Sequence, residues 1–299
     1  MQNPRKIGLW SLTILLVLGI IGGGFAWQHQ QQKQRQPRIV ATTYAVVQIA
    51  DKLDLPLVGI PTTANQIPKR YQHVTKVGSP MNPSVEKITA LKPTAVYSVT
   101  TLSDQFGKAF KAQHVAPHFL DLTSVAHLET TLTQLGKRYQ RQSAATKQIA
   151  KIQAAKRTAK RRTQNQPAPR VLVIMGLPGA TTYMVATNRA YVGDLVRLAG
   201  GKNVFTSKNQ EYMQPNDEAI QKANPQVILR LEHAMPKMVT SQFNQEFKAN
   251  KMWATTSAVK HHRVYDLQEP TFDATANMQA ATALKQVSHW LYPAKGAGV

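Results

Sequence analysis

The sequence predicts an α/β protein built as two α/β lobes joined by a single long backbone helix, with a ligand cleft between the lobes. Three observations carry the prediction. First, one short unit occurs twice. Pro83-Ser-Val-Glu86-Lys-Ile88 followed by Pro93-Thr-Ala-Val96 is matched by Pro215-Asn-Asp-Glu218-Ala-Ile220 followed by Pro225-Gln-Val-Ile228, with every landmark displaced by 132 residues. In each copy a Pro opens a helix and a Glu sits in its first turn, where the helix dipole favours negative charge. A second Pro stops the helix before an apolar strand. Second, short apolar segments alternate with amphipathic ones in both halves, the pattern of sheets covered by helices. Third, residues 124–164 between the two copies contain no Pro and one Gly, so an uninterrupted helix is expected there. The boundaries that follow are a first lobe over 38–123, a connecting helix over 124–166 and a second lobe over 167–299.

Taken in order, the chain opens with Arg5 and Lys6 ahead of an uncharged, mostly apolar run from Ile7 to Trp27. As a helix that run reaches about 30 Å, the thickness of a bilayer core. The flanking cations stay on the cytoplasmic side, which puts the rest of the chain outside. Gly24-Phe-Ala26 also meets the small-x-small rule for signal peptidase. Residues 1–27 are therefore expected to be a retained signal anchor, favoured by the length of the run, with release by cleavage after Ala26 as the other outcome. Residues 28–37 form a Gln-rich basic tether too polar to build a core.

In the first lobe, Arg38 to Thr43 reads as a strand, Tyr44 to Leu53 as an amphipathic helix, and Leu57 to Ile60, Val96 to Val99 and His118 to Asp121 as further strands. In the linking segment, Leu128, Leu132, Leu135 and Tyr139 form a helical stripe. Its second half, Lys147 to Arg162, is strongly basic and reads as a solvated face. Gln166-Pro-Ala-Pro169 ends it. The second lobe starts at Val171 to Met175, an apolar run suited to burial on both sheet faces. Strands follow at Thr182 to Ala186, Val227 to Leu231 and Arg263 to Asp266, with helices near Val192 to Ala199, Glu218 to Ala223 and Thr275 to Leu291.

Composition narrows the partners. Lys+Arg 37 against Asp+Glu 15 gives a formal net charge of +22, which calls for a polyanionic or acidic neighbour. There is no cysteine, so disulfides, thiolate metal sites and N-terminal lipidation on Cys are excluded. No zinc-finger or RNA-recognition signature is present, and an outward-facing chain has no nucleic-acid partner to read. Nor is there a Gly-x-Ser-x-Gly elbow, a phosphate-binding Gly-x-x-x-x-Gly-Lys-Ser/Thr loop or a His-Glu-x-x-His helix, so an enzyme is not expected.

The two Pro-x-x-Glu units, the linking helix and Tyr191-Val-Gly-Asp-Leu195 leading to Gly200-Gly201-Lys-Asn203-Val204 together resemble the cluster A substrate-binding proteins of ATP-binding-cassette importers. Within them, Pro68-Lys-Arg-Tyr71, Val77-Gly-Ser-Pro-Met81, Met175-Gly-Leu-Pro-Gly179, Tyr183-Met-Val-Ala-Thr187 and Lys260-His-His-Arg-Val-Tyr-Asp-Leu267 are similar to the IsdE-type haem-binding lipoproteins of Gram-positive bacteria. The likeness runs from about Arg38 to Tyr292. One departure is plain: those proteins are anchored through a lipidated Cys, and here the apolar N-terminus must replace it or the protein is released.

The resemblance implies haem as the transported ligand, an importer permease and cell-surface haem-binding proteins as partners, and a monomer on the outer face of the membrane. It implies Met81 and His233 as the two axial ligands of the iron, and thioether with imidazole is a known axial pair. Met213, Met235 and Met238 are reserve thioethers. Lys69 and Arg70 are the expected cations for the haem propionates, with Thr42, Thr43, Thr100 and Thr101 as hydrogen-bond donors in the pocket. Glu86 and Glu218 are expected to dock into Arg-lined recesses of the permease, although the helix dipole alone is reason enough for a Glu at those positions. His261-His262 is the competing metal signal. Adjacent residues of a strand point to opposite faces, so the pair would not converge on one ion. Two other readings stand beside haem: a siderophore, cobalamin or metal-ion carrier of the same importer class, and a basic adhesin or wall-polymer-binding protein.

Overall fold

A computed structural model describes residues 36–112, 115–180 and 182–293. The expected anchor at 1–27 and nearly all of the tether lie outside them. Among the described residues no helix is long and apolar enough to cross a membrane. From Arg38 onward the chain is one compact unit containing two large sheets and a two-stranded one.

The first sheet is wholly parallel, ordered β3-β2-β1-β6-β7 from β1 (Ile39–Ala41), β2 (Leu57–Ile60), β3 (Thr75–Lys76), β6 (Ala95–Val99) and β7 (His118–Leu120). Between β3 and β6 lie a two-stranded hairpin, β4 (Gly78–Ser79) with β5 (Asn82–Pro83), and helix α2 (Val85–Ala90). Helix α1 (Tyr44–Lys52) follows β1, and α3 (Ser103–Ala112) follows β6. In the second sheet β8 (Arg170–Gly176), β12 (Val227–Glu232) and β13 (Val264–Gln268) are parallel. On its other side β9 (Met184–Ala186) runs antiparallel to β8, and β11 (Tyr212–Met213) antiparallel to β9. β10 (Lys202–Asn203) also pairs with β8. The helices of this half are α6 (Tyr191–Leu198), α7 (Asp217–Ala223), α8 (Pro236–Ala249), α9 (Met252–Thr255), α10 (Ser257–Lys260) and α11 (Ala280–Leu291).

The long helix expected over 124–166 is a correction. The segment folds as two helices, α4 (Val125–Arg138) and α5 (Gln142–Thr163), packed against each other. Gln140 at φ 56° turns the chain in the left-handed region, and Arg141 N–H bonds Gly136 O at 2.6 Å. Gly136 is what lets the hairpin close, since a Cβ there would lie 2.7 Å from the Ala145 Cβ. α5 is the longer of the two. Its buried stripe of Ala145, Ile152, Ala155 and Ala159 joins one continuous core that includes Ile39 and Val99 of the first sheet, Val171 and Leu229 of the second, and Leu284 of α11. Small residues on the stripe allow close approach; at 25 cal/mol per Å², packing of this shared face is a main tie between the halves.

The repeated unit needs a smaller correction. The prolines do not open the helices but precede their caps. Ser84 Oγ accepts from Lys87 N–H and Asn216 Oδ1 from Ala219 N–H, which satisfies first-turn donors that nothing in the helix can reach. The last helix begins at Ala280 rather than Thr275, because residues 274–279 are taken up in bridging the halves. Ala276 N–H bonds Leu122 O at 2.7 Å and Met278 N–H bonds Gln48 Oε1 at 3.0 Å. The buried carboxylate of Asp194 accepts from Val125 N–H across the same junction.

Candidate functional site

The cleft lies where the carboxyl ends of strands from both sheets meet, the usual place for a ligand in open α/β sheets. It has a volume of about 260 Å³ and opens along one side. One wall comes from the first sheet: Thr43 and Tyr44 at the start of α1, Asn65, Val99, Thr101 and the hairpin turn carrying Met81. The other comes from the second: His233 and Ala234 after β12, then Glu269, Asp273, Ala274 and Thr275 after β13. Met81 and His233, 152 positions apart in the chain, thus line one cleft from opposite walls.

Their settings differ. Met81 occupies the tip between β4 and β5 and is 58% exposed, a large apolar side chain with little packing of its own. His233 is half-buried against two carboxylates, its Nδ1 3.2 Å from Asp273 Oδ1 and 3.6 Å from Glu269 Oε1. Burial by itself would disfavour the imidazolium, but Asp273 and then Glu269 outweigh it and hold the His233 pKa above the usual histidine range. Both acids are themselves fixed. Glu269 accepts from Ala234 N–H at 3.0 Å and, across the cleft, from Asn65 Nδ2 at 2.7 Å. Asp273 Oδ1 accepts from Ala274 N–H at 2.6 Å. With both carboxylates on the Nδ1 side, Nε2 is the nitrogen left for a ligand.

These two acids are what the sequence reading missed. One atom from each of His233, Glu269 and Asp273 lies within 4.8 Å of the others. No local sequence signal marks them, because the parallel pairing of β12 and β13 is what brings the ends of these strands together.

The other expected residues scatter. Lys69 and Arg70 are exposed and do not line the cleft; Arg70 is engaged by Asp54 beyond the far end of α1. Of the four threonines, Thr43 and Thr101 line the cleft. Thr42 is buried, its hydroxyl bonded to Tyr97 O, and Thr100 is half-buried behind the lining. The lining contains no Lys or Arg among the described residues. Met213 sits in β11, and Met235 and Met238 at the start of α8, the last two exposed; none lines the cleft. Glu86 and Glu218 are both exposed in the first turns of α2 and α7, outside the cleft and without an ion-pair partner among the described residues. His261 and His262 are not on a strand. His261 caps α10 and its Nδ1 lies 2.8 Å from Ser257 O, while His262 turns the chain at φ 53°.

Residues 39–271 match the model of a family described as periplasmic binding protein. The chain belongs to the periplasmic binding protein family. Among its relatives, the high-affinity heme uptake system protein IsdE of Staphylococcus aureus (strain Newman) is 39% identical over 287 residues, 95% of this chain and 98% of that protein. The crystal structure of S. aureus IsdE complexed with heme matches with a TM-score of 0.81 at 40% identity, over 85% of this chain and 98% of that one. An ABC transporter substrate-binding protein from Listeria monocytogenes EGD-e matches with a TM-score of 0.80 at 44% identity, over 86% and 99%. Periplasmic binding proteins carry ligands for transport and are not known as enzymes. In this chain the close packing of α6 also accounts for the glycine of Tyr-Val-Gly-Asp-Leu, since a Cβ on Gly193 would stand 2.0 Å from Thr187 O.

Proposed function

We propose that this chain is the extracytoplasmic haem-binding component of an ATP-binding-cassette importer, capturing haem in the cleft through Met81 and His233 and delivering it to a permease for iron acquisition. The observation that carries the reading is the convergence of these two side chains on one cleft, in a chain 39% identical to a haem-uptake protein over 95% of its length.

The chemistry follows from the two walls. His233, with Nδ1 beside Asp273 and Glu269, would present Nε2 as the strong imidazole donor, and the adjacent carboxylates would increase its basicity. Met81, exposed on the opposite wall, would supply the weaker thioether. Tyr44, Val99, Leu102 and Ala274 offer apolar surface to the porphyrin, worth about 25 cal/mol per Å² removed from water. The propionates would be received by Thr63, Ser79 and Thr101, through hydroxyls rather than cations. Glu86 and Glu218, one on each half, would dock on basic recesses of the permease. The chain would act as a monomer at the outer face of the membrane, held by residues 1–27, and would receive haem from surface haem-binding proteins.

A second reading, carriage of a bare metal ion, is prompted by the His233, Glu269 and Asp273 group. Three carboxylate oxygens of that group already accept protein hydrogen bonds, which favours haem. Titration of purified protein with haem, followed by absorption, decides between them. Stoichiometric growth of a shifted Soret band supports haem; no spectral change, together with tight binding of Zn²⁺ or Mn²⁺, would replace it with the ion.

A further inference from the structure

The helix α5 carries seven Lys and Arg and no acid. The two helices flanking it add Lys137 and Arg138 on α4 and Lys285 on α11, against Glu129 alone. Two of these bases have structural work: Lys156 pairs with Glu129 at 3.3 Å, and Arg162 donates to Tyr292 O at 3.0 Å. Lys147, Lys151, Arg157, Lys160 and Arg161 are exposed and make no ion pair among the described residues. At 100° and 1.5 Å per residue, four of them, Lys147, Lys151, Arg157 and Arg161, fall within an arc of about 120° and span about 21 Å along the axis. Lys160 and Arg161 also border an open concavity of about 420 Å³ at the end of the helix, with Arg157, Thr163 and Gln164.

A face that only needed solvation would mix its charges. Here Lys147 with Lys151 and Arg157 with Arg161 are like charges at i and i+4, each pair costing the helix about 0.2–0.5 kcal/mol. A row of phosphates would turn that repulsion into attraction. The place of the stripe identifies the side from which they come. Thr163, at the end of α5, abuts Gly200, which leads into β10 where Lys202 pairs with Arg170 at the start of β8. His233 follows the opposite end of the parallel strand β12, about 20 Å away along the sheet.

We propose that the exposed face of α5 is a second binding surface, which holds a linear polymer of repeating phosphodiesters on the side of the protein turned away from the permease. The choice of polymer over lipid headgroups rests on the function proposed above: a cleft that empties into a permease faces the membrane, so the stripe faces outward.

Binding of poly(glycerol phosphate) is measured by titration at several salt concentrations, for the wild type and for Lys147→Gln/Lys151→Gln/Arg157→Gln/Arg161→Gln. A control, Lys111→Gln/Lys208→Gln/Lys222→Gln/Lys248→Gln, removes the same charge from exposed positions elsewhere. The stripe variant should bind at least tenfold more weakly, with the slope of log K against log salt reduced by about 3, from ~0.7 per lost contact. The control should stay within twofold of wild type. Equal weakening in both variants would reduce the effect to net charge, and unchanged binding by the stripe variant would remove the site. Binding to phosphatidylglycerol vesicles but not to the polymer would overturn the choice of occupant. Haem absorption on the same samples tests the cleft separately. A normal haem spectrum with no polymer binding defeats this inference alone, and polymer binding without haem defeats the transport reading alone.

Discussion

Replacing Glu269 separates the support of the cleft from its ligands. The carboxylate is 13% exposed and ties three groups together: Ala234 N–H at 3.0 Å, Asn65 Nδ2 at 2.7 Å on the opposite wall, and the His233 ring at 3.6 Å. Hydrogen bonds to charged groups contribute about 1.5–3 kcal/mol each, but Ala234 is exposed and its N–H can return to water. The expected loss for Glu269→Ala is therefore about 2–4 kcal/mol. For a unit of this size that corresponds to a Tm lower by roughly 5–15 °C. Glu269→Gln keeps the shape and one acceptor, and Asn65 can present its oxygen to the new amide, so its loss should be less than half as large. Haem should still bind in both variants, because Asp273 retains Nδ1, but should dissociate several-fold faster from Glu269→Ala. Thermal unfolding of the apo forms and stopped-flow haem transfer measure the two effects. A Tm within 1 °C of wild type for Glu269→Ala would refute the bridging role, and equal effects of Ala and Gln would refute its hydrogen-bonded origin.

Asp266→Ala should destabilise the protein by about 3–5 kcal/mol in denaturant titration, because it strips the partner from Arg230, which is 8% exposed and held by Asp266 at 2.5 and 2.8 Å; a loss under 1 kcal/mol would show that Asn244 and water suffice. Gly193→Ala should cost about 3 kcal/mol or more, since the added Cβ meets the Thr187 carbonyl rather than a yielding side chain, and a wild-type melting curve would contradict that contact. The carboxyl of Asp121 is held below its ordinary range: burial would raise it, but the hydroxyl and N–H of Thr123 and the nearby His127 prevail. Its contribution is present above the unfolded-state pKa and lost as pH falls through the folded one, so Asp121→Asn should flatten the acid side of the stability profile while leaving the neutral side parallel. Glu86→Ala/Glu218→Ala should leave haem binding and Tm unchanged and reduce haem uptake by cells; normal uptake by the double variant would remove both from docking.

Local signals account for what could be read in advance. Strands such as Leu57–Ile60 and Val227–Glu232 announce themselves as apolar runs beside Pro, and the caps of α2 and α7 sit beside the repeated Pro and Glu. The break at Gln140 was hidden because good helix formers continue through it; Gly136 followed by Lys137 and Arg138 was the faint sign of a helix end. Helix α8 also went unread, although Pro236 at its start and Val239 with Phe243 one turn apart are helical spacing. In the site, motif context points to Met81 and His233, and both line the cleft. Arg70 was placed by its motif, but a nearby acid, Asp54, takes it first. Glu269 and Asp273 were illegible because the parallel pairing of β12 and β13, not proximity in sequence, brings them under His233.

The ligation of iron is tested most directly by absorption spectra of the haem-loaded wild type, Met81→Ala and His233→Ala. Imidazole and thioether together make the wild type six-coordinate and mainly low-spin. Losing either ligand should change the spectrum, with the larger change for His233→Ala, because the imidazole is the stronger donor to ferric iron and water can stand in for the thioether. Affinity should fall less than the spectra suggest, since burial of the porphyrin faces does not depend on the axial bonds. An unchanged low-spin spectrum in both single variants would contradict the account and move the iron to other ligands.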